Sequence, residues 1–399
     1  MMSDLFSLLD SYYPEMVSTR RYLHENPELS FKEYETAKFI QNFYQQLNIP
    51  FKSNVGGNGV VATINGRNPG KTIALRADFD ALPIQDEKNV PYSSKVPGVM
   101  HACGHDGHTA TLLYLAKALH EQRDLWDGKV VFLHQHAEEY APGGAISMIA
   151  DGCLDGVDEV YGTHLWAIEE LGTIGYRKGP IMAAADRFSI TIQGQGGHGA
   201  EPHRTKDSIV IASQLVMALQ QVVSRETNPI DTVVLSIGSF EAKNAFNVIA
   251  DRATLIGTVR TFKKETQEKV KKQIARIIKG ICLANDVTYE YKYDDGYPPV
   301  VNHEKETDLL VNLAESIEEV NQLKEMDPKM GGEDFAYYLQ KIPGTFFFTG
   351  AKPPHVTEAY PHHHPKFDFD EKAMLIAAKT LGSVTLTSLK QSQKLVEQK

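Results

Sequence analysis

The sequence has few cysteines, no excess of basic residues and no long apolar run, and each absence excludes a class of protein. Three cysteines in 399 residues are too few for a disulfide framework. A formal net charge of −10 argues against nucleic acid or an anionic membrane as the main partner. No apolar run approaches the length of a membrane span. The segment Met1–Phe6 is acidic where a signal peptide is basic, so we expect a cytoplasmic protein.

The densest cluster of metal-type side chains is the segment Met100–Thr109, which holds a thiol, three imidazoles and a carboxylate around two glycines. Soft and borderline ligands at this density suit a transition metal better than a hydrophobic core. Further histidines and glutamates follow at 134–139, 162–164 and 362–365. Four such clusters, spread over much of the chain, predict one metal site assembled by the fold.

The chain is long for one domain, and its pattern changes near residue 185. Strands and helices alternate before that point, with polar residues at the carboxyl ends of strands, which predicts an open α/β sheet with a ligand crevice. Between 185 and 296 the predicted order is β-α-β-β-α-β, a ferredoxin-like unit. Because metal-type ligands resume after it, we predict an α/β domain of residues 1–184 and 297–399 that carries the 185–296 unit as an insertion.

Cys103 and His105 are separated by one glycine, whose tight turn can direct both side chains at one ion. The alternative is a structural cysteine followed by Asp106 as a helix N-cap. His164 comes near the end of a predicted strand, where other ligands are expected, although a lone histidine is more often a core residue.

Two pairs of carboxylates follow predicted buried strands. Glu138 and Glu139 are adjacent, and their repulsion favours a compensating cation over the alternative of an exposed acidic turn. One of them can bind metal while the other acts as general base. Asp78 and Asp80 end a neighbouring strand, and we expect Asp80 to orient a ligand imidazole rather than to be a solvated loop residue.

Two histidine segments leave alternatives open. His198 is flanked by glycines in the inserted unit, where it can either approach a ligand closely or lie in a mobile turn. In the run His362–His364, spacing alone does not select the imidazole that binds metal.

Six motifs occur together and in one order along nearly the whole chain. They are Arg76–Pro83, Cys103–His105, Glu138–Glu139, Gly197–His198, Gly257–Arg260 and Gly332–Phe335. With these motifs the chain resembles the M20 metallopeptidase family, specifically the amidohydrolase branch with hippurate hydrolases, N-acyl-amino-acid deacetylases and plant auxin-conjugate hydrolases.

The resemblance implies two divalent metal ions in the α/β catalytic domain and a ferredoxin-like lid that mediates a homodimer. The mixed sulfur, nitrogen and oxygen ligands admit Zn, Mn, Co or Ni. The implied metal ligands are Cys103 as the bridge and His105, Glu139, His164 and His363 as terminal ligands. The other implied roles are Glu138 as general base, His198 as stabiliser of the tetrahedral intermediate, and Asn247 and Arg260 near the substrate carboxylate.

Two details of the sequence qualify these assignments. Ala250 occupies a position where the family usually has proline, which bears on the geometry around Asn247. His363 is chosen within the triple histidine because the family ligand is followed by one residue and then proline, here Pro365.

The resemblance implies hydrolysis of the amide bond of small-molecule N-acyl amino acids. The enzymatic alternative is a dipeptidase or aminopeptidase with the same two-metal centre. A different class is a catalytically silent relative that only binds metal or ligand. The presence of both Glu138 and Glu139 speaks against it, because a silent site can lose its base freely.

Overall fold

The computed structural model describes residues 1–396, which form two compact units. The larger unit contains Met1–Ile181, Val300–Asp327 and the described residues from Asp334 onward. The smaller unit contains Met182–Pro299 and Pro328–Glu333. The short segment 328–333 therefore packs with the smaller unit, although the sequence pattern had placed it in the α/β domain.

Strands and helices alternate through the larger unit and recur in the smaller one. The strands are β1 (Phe51–Val55), β2 (Gly59–Asn65), β3 (Thr72–Asp78), β4 (Lys129–Gln135), β5 (Glu159–Glu170), β6 (Thr173–Tyr176), β7 (Gly179–Met182), β8 (Ala184–Gln193), β9 (Gly197–His198), β10 (Val233–Glu241), β11 (Val248–Ile249), β12 (Arg252–Thr261), β13 (Thr288–Tyr297), β14 (Val300–Asn302), β15 (Gln322–Glu325) and β16 (Gly344–Lys352). The α-helices are α1 (Met2–Glu25), α2 (Tyr34–Gln46), α3 (His105–Glu121), α4 (Gly144–Ala150), α5 (Ser208–Gln221), α6 (Lys264–Ala284), α7 (Glu304–Ala314), α8 (Ala336–Leu339) and α9 (Lys372–Val396). Across residues 1–396, no helix has the length and apolarity needed to cross a membrane.

The larger unit is built on an eight-stranded mixed sheet in the order β1-β2-β4-β3-β5-β16-β6-β15. Its centre, β4-β3-β5-β16, is parallel. All seven residues of β3 are buried, as is typical of a parallel strand covered on both faces. Helices α1, α3 and α9 pack against one another beside these strands. The predicted mixed α/β fold is confirmed.

The sequence pattern predicts one helix over Ala110–Glu121 and another near Asp308–Gln322, and both have different bounds in the structure. The helix expected from Ala110 begins at His105, because Gly104 adopts a φ of +90° that glycine tolerates and turns the chain into the helix. The helix expected near 308–322 is α7, which covers Glu304–Ala314 and therefore begins and ends earlier than predicted. The following strand, Gln322–Glu325, pairs in parallel with β6 and takes up only Gln322 of the predicted helix.

The smaller unit is a four-stranded antiparallel sheet in the order β10-β12-β8-β13. Helix α5 connects β8 to β10, and α6 connects β12 to β13, which gives the ferredoxin-like connectivity. Both helices pack on the sheet over a core that includes Phe188, Leu255 and Ile274.

Close packing around Gly257, on the central strand β12, predicts that a larger residue there destabilises the protein. A Cβ atom there would lie 2.2 Å from Phe188 Cζ and 2.6 Å from the carbonyl oxygen of Ser236. We expect Gly257→Ala to lower the free energy of unfolding by about 1–3 kcal/mol through overpacking. Gly238 on β10 faces open space, so Gly238→Ala is the matched control with little effect. Equal urea midpoints for the two variants would contradict the packing described.

Candidate metal centre

The ends of several segments of the larger unit bring metal-type side chains to one edge of the sheet. Strand β3 ends at Asp78, and β4 ends three residues before Glu138–Glu139. His164 belongs to β5, and His105 is the first residue of α3. Because the carboxyl ends of parallel strands share one edge, these side chains meet in space although they are distant in sequence.

Two groups of potential ligands share one thiol. Cys103, His105 and His164 form the first group, and their ligand atoms all lie within 4.8 Å of one another. Cys103 also forms a second such group with Glu139 and His363. A thiolate common to two ligand groups is the arrangement that two ions bridged by one sulfur require.

The histidines of the first group are anchored through Nδ1. His105 Nδ1 lies 3.0 Å from the carbonyl oxygen of Asp80 and 3.1 Å from its Oδ1. His164 Nδ1 donates to the carbonyl oxygen of Leu165 at 2.9 Å. The Nε2 atoms are therefore the ones available to an ion, and His164 Nε2 lies 3.3 Å from Cys103 Sγ. Such hydrogen bonds to the remote nitrogen orient ligand imidazoles in metalloproteins.

The electrostatics of the site fit a bound cation. Burial, with the charges of Glu139 and Glu138, raises the pKa of the Cys103 thiol well above its usual range. Burial lowers the pKa of His105, but Asp78 and Asp80 outweigh it and raise that pKa to about 10. Among residues 1–396, His105 Nε2 is buried without a hydrogen-bond partner. In the ion-free site, Cys103 and His105 therefore hold protons that a divalent ion can displace. Their sulfur and nitrogen atoms are ligands that suit such an ion.

The three histidines of the 362–364 run have different partners. His362 Nε2 donates to the carbonyl oxygen of Leu165 at 3.0 Å, and its ring packs on His164. His364 Nδ1 accepts from the backbone N–H of Lys366. His363 is the one whose Nε2 approaches Glu139 Oε1, at 3.2 Å.

A second buried layer lies behind the potential ligands, and no sequence pattern had assigned a role to His108 or Arg76 within it. His108 Nδ1 lies 2.6 Å from Asp78 Oδ1, and its Nε2 accepts from the Leu165 N–H. Both nitrogens of His108 are therefore engaged within the protein. Arg76 pairs with Asp78 at 2.5 Å and with Asp334 at 2.9 Å. An arginine inside an otherwise apolar strand was the signal that buried acids must lie nearby.

Asp106 does not cap helix α3. Its Oδ2 accepts from Arg20 Nε and binds His24 Nδ1, both at 2.8 Å, and so ties α3 to α1. The helix N-cap is Gly104 instead. His101 of the same motif is buried, and neither ring nitrogen has a hydrogen-bond partner in the described part of the chain.

The remaining predicted site residues belong to the smaller unit. His198 on β9 pairs with Val248 on β11, and the Gly199 N–H donates to the Asn247 carbonyl oxygen at 2.8 Å, so His198 and Asn247 are close neighbours. Both are exposed. Arg260 lies on β12, where its Nε donates to the carbonyl oxygen of Met330 at 3.1 Å.

Comparisons with known proteins agree with this architecture. Residues 74–387 match the model of peptidase family M20/M25/M40. The chain belongs to this family. YhaA of Bacillus subtilis, named as an inferred amidohydrolase, is 59% identical over 379 residues, which cover 95% of this chain and 96% of YhaA. An N-acyl-L-amino acid amidohydrolase of Geobacillus stearothermophilus is 48% identical, with 75% of this chain and 80% of that protein covered.

A solved structure extends the likeness to the fold. The Bacillus subtilis protein YXEP, described as a dinuclear metal binding peptidase of the M20 family, superposes with a TM-score of 0.83 at 36% identity. The match covers 96% of this chain and 99% of YXEP. The M20 resemblance found in the motifs is confirmed.

The raised pKa values predict proton release when a divalent ion binds. Near neutral pH, which lies below both pKa values, Cys103 and His105 are protonated in the ion-free protein. Binding should therefore release at least these two protons and weaken as the pH falls. Calorimetry in buffers of different ionisation enthalpy measures the number. Cys103→Ala should release about one proton fewer, whereas Cys282→Ala, a buried cysteine of the other unit, should match the wild type. An unchanged count in Cys103→Ala would contradict the ligand assignment.

Proposed function

We propose that this protein is a metal-dependent amidohydrolase that cleaves the amide bond of N-acyl amino acids. The proposal rests on the position of Glu138 beside the two groups of potential ligands that share Cys103. Glu138 Oε2 lies 4.0 Å from His105 Nε2, and Glu138, His105 and Glu139 form a third close group. The names of the relatives, including the Geobacillus amidohydrolase, support the same substrate class.

On this proposal Glu138 acts as the general base. Divalent ions held by Cys103, His105, His164, Glu139 and His363 would lower the pKa of water and polarise an acyl carbonyl group. Glu138 would accept the proton of the attacking water and return it to the nitrogen of the leaving amino acid. Its side chain is only 8% exposed, which shields that proton transfer from bulk solvent. Asp80 would keep His105 in one orientation throughout.

The native metal is proposed to be Zn, Mn, Co or Ni. Thiolate and imidazole ligands suit zinc, and carboxylate ligands also suit manganese, so the donor set alone does not decide among them. Loading the metal-stripped enzyme with each ion and measuring hydrolysis identifies the active form.

We propose that the smaller unit is a lid that forms a homodimer and supplies His198 to the partner's site. Support comes from the outer face of helix α5, where Ile209, Val210 and Met217 are 42%, 53% and 72% exposed. Apolar side chains clustered on one exposed helix face are typical of an interface. On this proposal His198 donates a hydrogen bond to the developing oxyanion, and Asn247 and Arg260 bind the substrate carboxylate.

Glu138→Gln should remove most of the activity while the metals stay bound. The amide cannot accept the proton of water, so kcat should fall on the order of 100-fold or more. The assay is a panel of N-acyl amino acids beside a panel of dipeptides, with metal content measured in the same samples. Glu121→Gln, at the far end of α3, is the matched control and should behave as wild type. Near-normal turnover by metal-loaded Glu138→Gln rules out the base assignment, and a preference for dipeptides favours the peptidase alternative.

Mixed subunits test the role of His198. His198→Ala should lower turnover roughly 100-fold with metal binding intact. A mixture of Glu138→Gln and His198→Ala subunits, under conditions that allow exchange, should regain part of the activity, because one site in a hybrid dimer combines two intact residues. Flat activity despite demonstrated exchange would show that His198 does not act across a dimer.

A further inference from the structure

The turn that carries the proposed base is held by a carboxylate from a distant loop. Glu33 lies in the loop between α1 and α2, directly before the first residue of α2, and is fully buried. Its Oε1 accepts from the backbone N–H of Ala137 at 2.8 Å and from that of Phe31 at 2.9 Å. Its Oε2 accepts from Asn58 Nδ2 at 3.0 Å. One carboxylate therefore joins three segments of the chain at the residue directly before Glu138.

Ala137 needs such support because its backbone is strained. Its φ is +52°, a left-handed conformation that costs a non-glycine residue roughly 1–2 kcal/mol. Glu33 fixes the amide N–H of Ala137, and the Gly144 N–H donates to its carbonyl oxygen at 3.1 Å. Both peptide groups that flank the left-handed Cα are thus held, so the direction in which the chain enters Glu138 is fixed.

The donors to Glu33 are themselves held in place. Asn58 directly follows Gly57, which has a φ of +128°. A Cβ atom at Gly57 would lie 2.8 Å from His136 Nε2, so there is no room for a side chain at this position.

Burial raises the pKa of Glu33 to about 7, so the charged form of this carboxylate depends on its hydrogen bonds. Among residues 1–396, no basic side chain pairs with Glu33, and its three partners are N–H donors. Such a buried carboxylate is suited to fixing backbone geometry.

We propose that Glu33 is a positioning residue for Glu138: through the Ala137 amide it sets the geometry from which the base takes its proton. The inference rests on the proposed function only in naming Glu138 as the base. Glu33 touches neither the ligand groups nor, on this proposal, the substrate. Its removal should therefore act on kcat through Glu138 and should leave metal content unchanged.

A double-mutant cycle with Glu138 separates positioning from a general loss of structure. Glu33→Ala should lower kcat about tenfold or more, with KM within about twofold of wild type and full metal content. In a Glu138→Gln background the same substitution should have little further effect on the residual rate, because the residue through which it acts is already disabled. An undiminished effect in that background overturns the proposal, as does a wild-type kcat in Glu33→Ala.

An exchange of donor and acceptor keeps the test valid if Glu33→Ala does not fold. Glu33→Gln alone turns an amide donor toward Asn58 Nδ2, and Asn58→Asp alone places two carboxylates together. The double variant E33Q/N58D restores the hydrogen bond in the opposite sense and keeps the net charge. Its kcat should exceed that of either single variant, whereas a double variant as slow as the slower single one overturns the proposal.

Glu28 provides the matched control. It is a nearby glutamate that also accepts backbone N–H groups, from Thr36 at 2.8 Å and Glu35 at 3.2 Å, but these belong to the start of α2. Glu28→Ala should lower the melting temperature without changing kcat. Hydrolysis of dipeptides alone by the wild type, or an active Glu138→Gln variant, would overturn the proposed function independently of the Glu33 measurements. The Glu33 series can still be measured with whichever amide the wild type cleaves.

Discussion

Both groups of potential ligands depend on hydrogen bonds to the carboxylate of Asp80. Its Oδ1 lies 3.1 Å from His105 Nδ1, which orients a ligand of the first group. Its Oδ2 accepts from the Glu139 N–H at 2.9 Å, which fixes a ligand of the second group, and from Ser30 Oγ at 2.7 Å. These hydrogen bonds help hold the pKa of Asp80 below its usual value despite complete burial. One side chain thus sets the relative position of the histidine and the glutamate that would face two different ions.

The same edge of the sheet concentrates negative charge that the protein only partly neutralises. Asp78, Asp80 and Glu138 are buried together, and Arg76 is the buried cation paired with Asp78. Burial also raises the pKa of Asp334, the second partner of Arg76, to about 6. Buried carboxylates in this number are costly unless cations compensate them. Divalent ions bound at this edge would therefore stabilise the folded state as well as serve the chemistry, and Glu33 would hold the adjoining turn without adding a ligand.

Much of the fold and of the candidate metal centre could be predicted from the sequence, because strand ends and metal-type residues follow simple rules. The carboxyl ends of β3, β4 and β5 had to meet at one edge, so Asp80, Glu139 and His164 were expected together. No pattern in the sequence indicated the role of Glu33. Its hydrogen bond to the Ala137 amide depends on a backbone conformation that the residue type does not predict. The packing of 328–333 with the smaller unit likewise depends on tertiary contacts, which local periodicity does not contain.

The central claim is that two ions share the sulfur of Cys103. Anomalous diffraction from crystals of the zinc-loaded protein, collected at the metal edge, measures it most directly. A shared sulfur predicts two anomalous peaks per chain, each about 2.3 Å from Cys103 Sγ. One peak should also contact His105 and His164, and the other Glu139 and His363. A single peak, or two peaks of which only one contacts the sulfur, would contradict a shared Cys103.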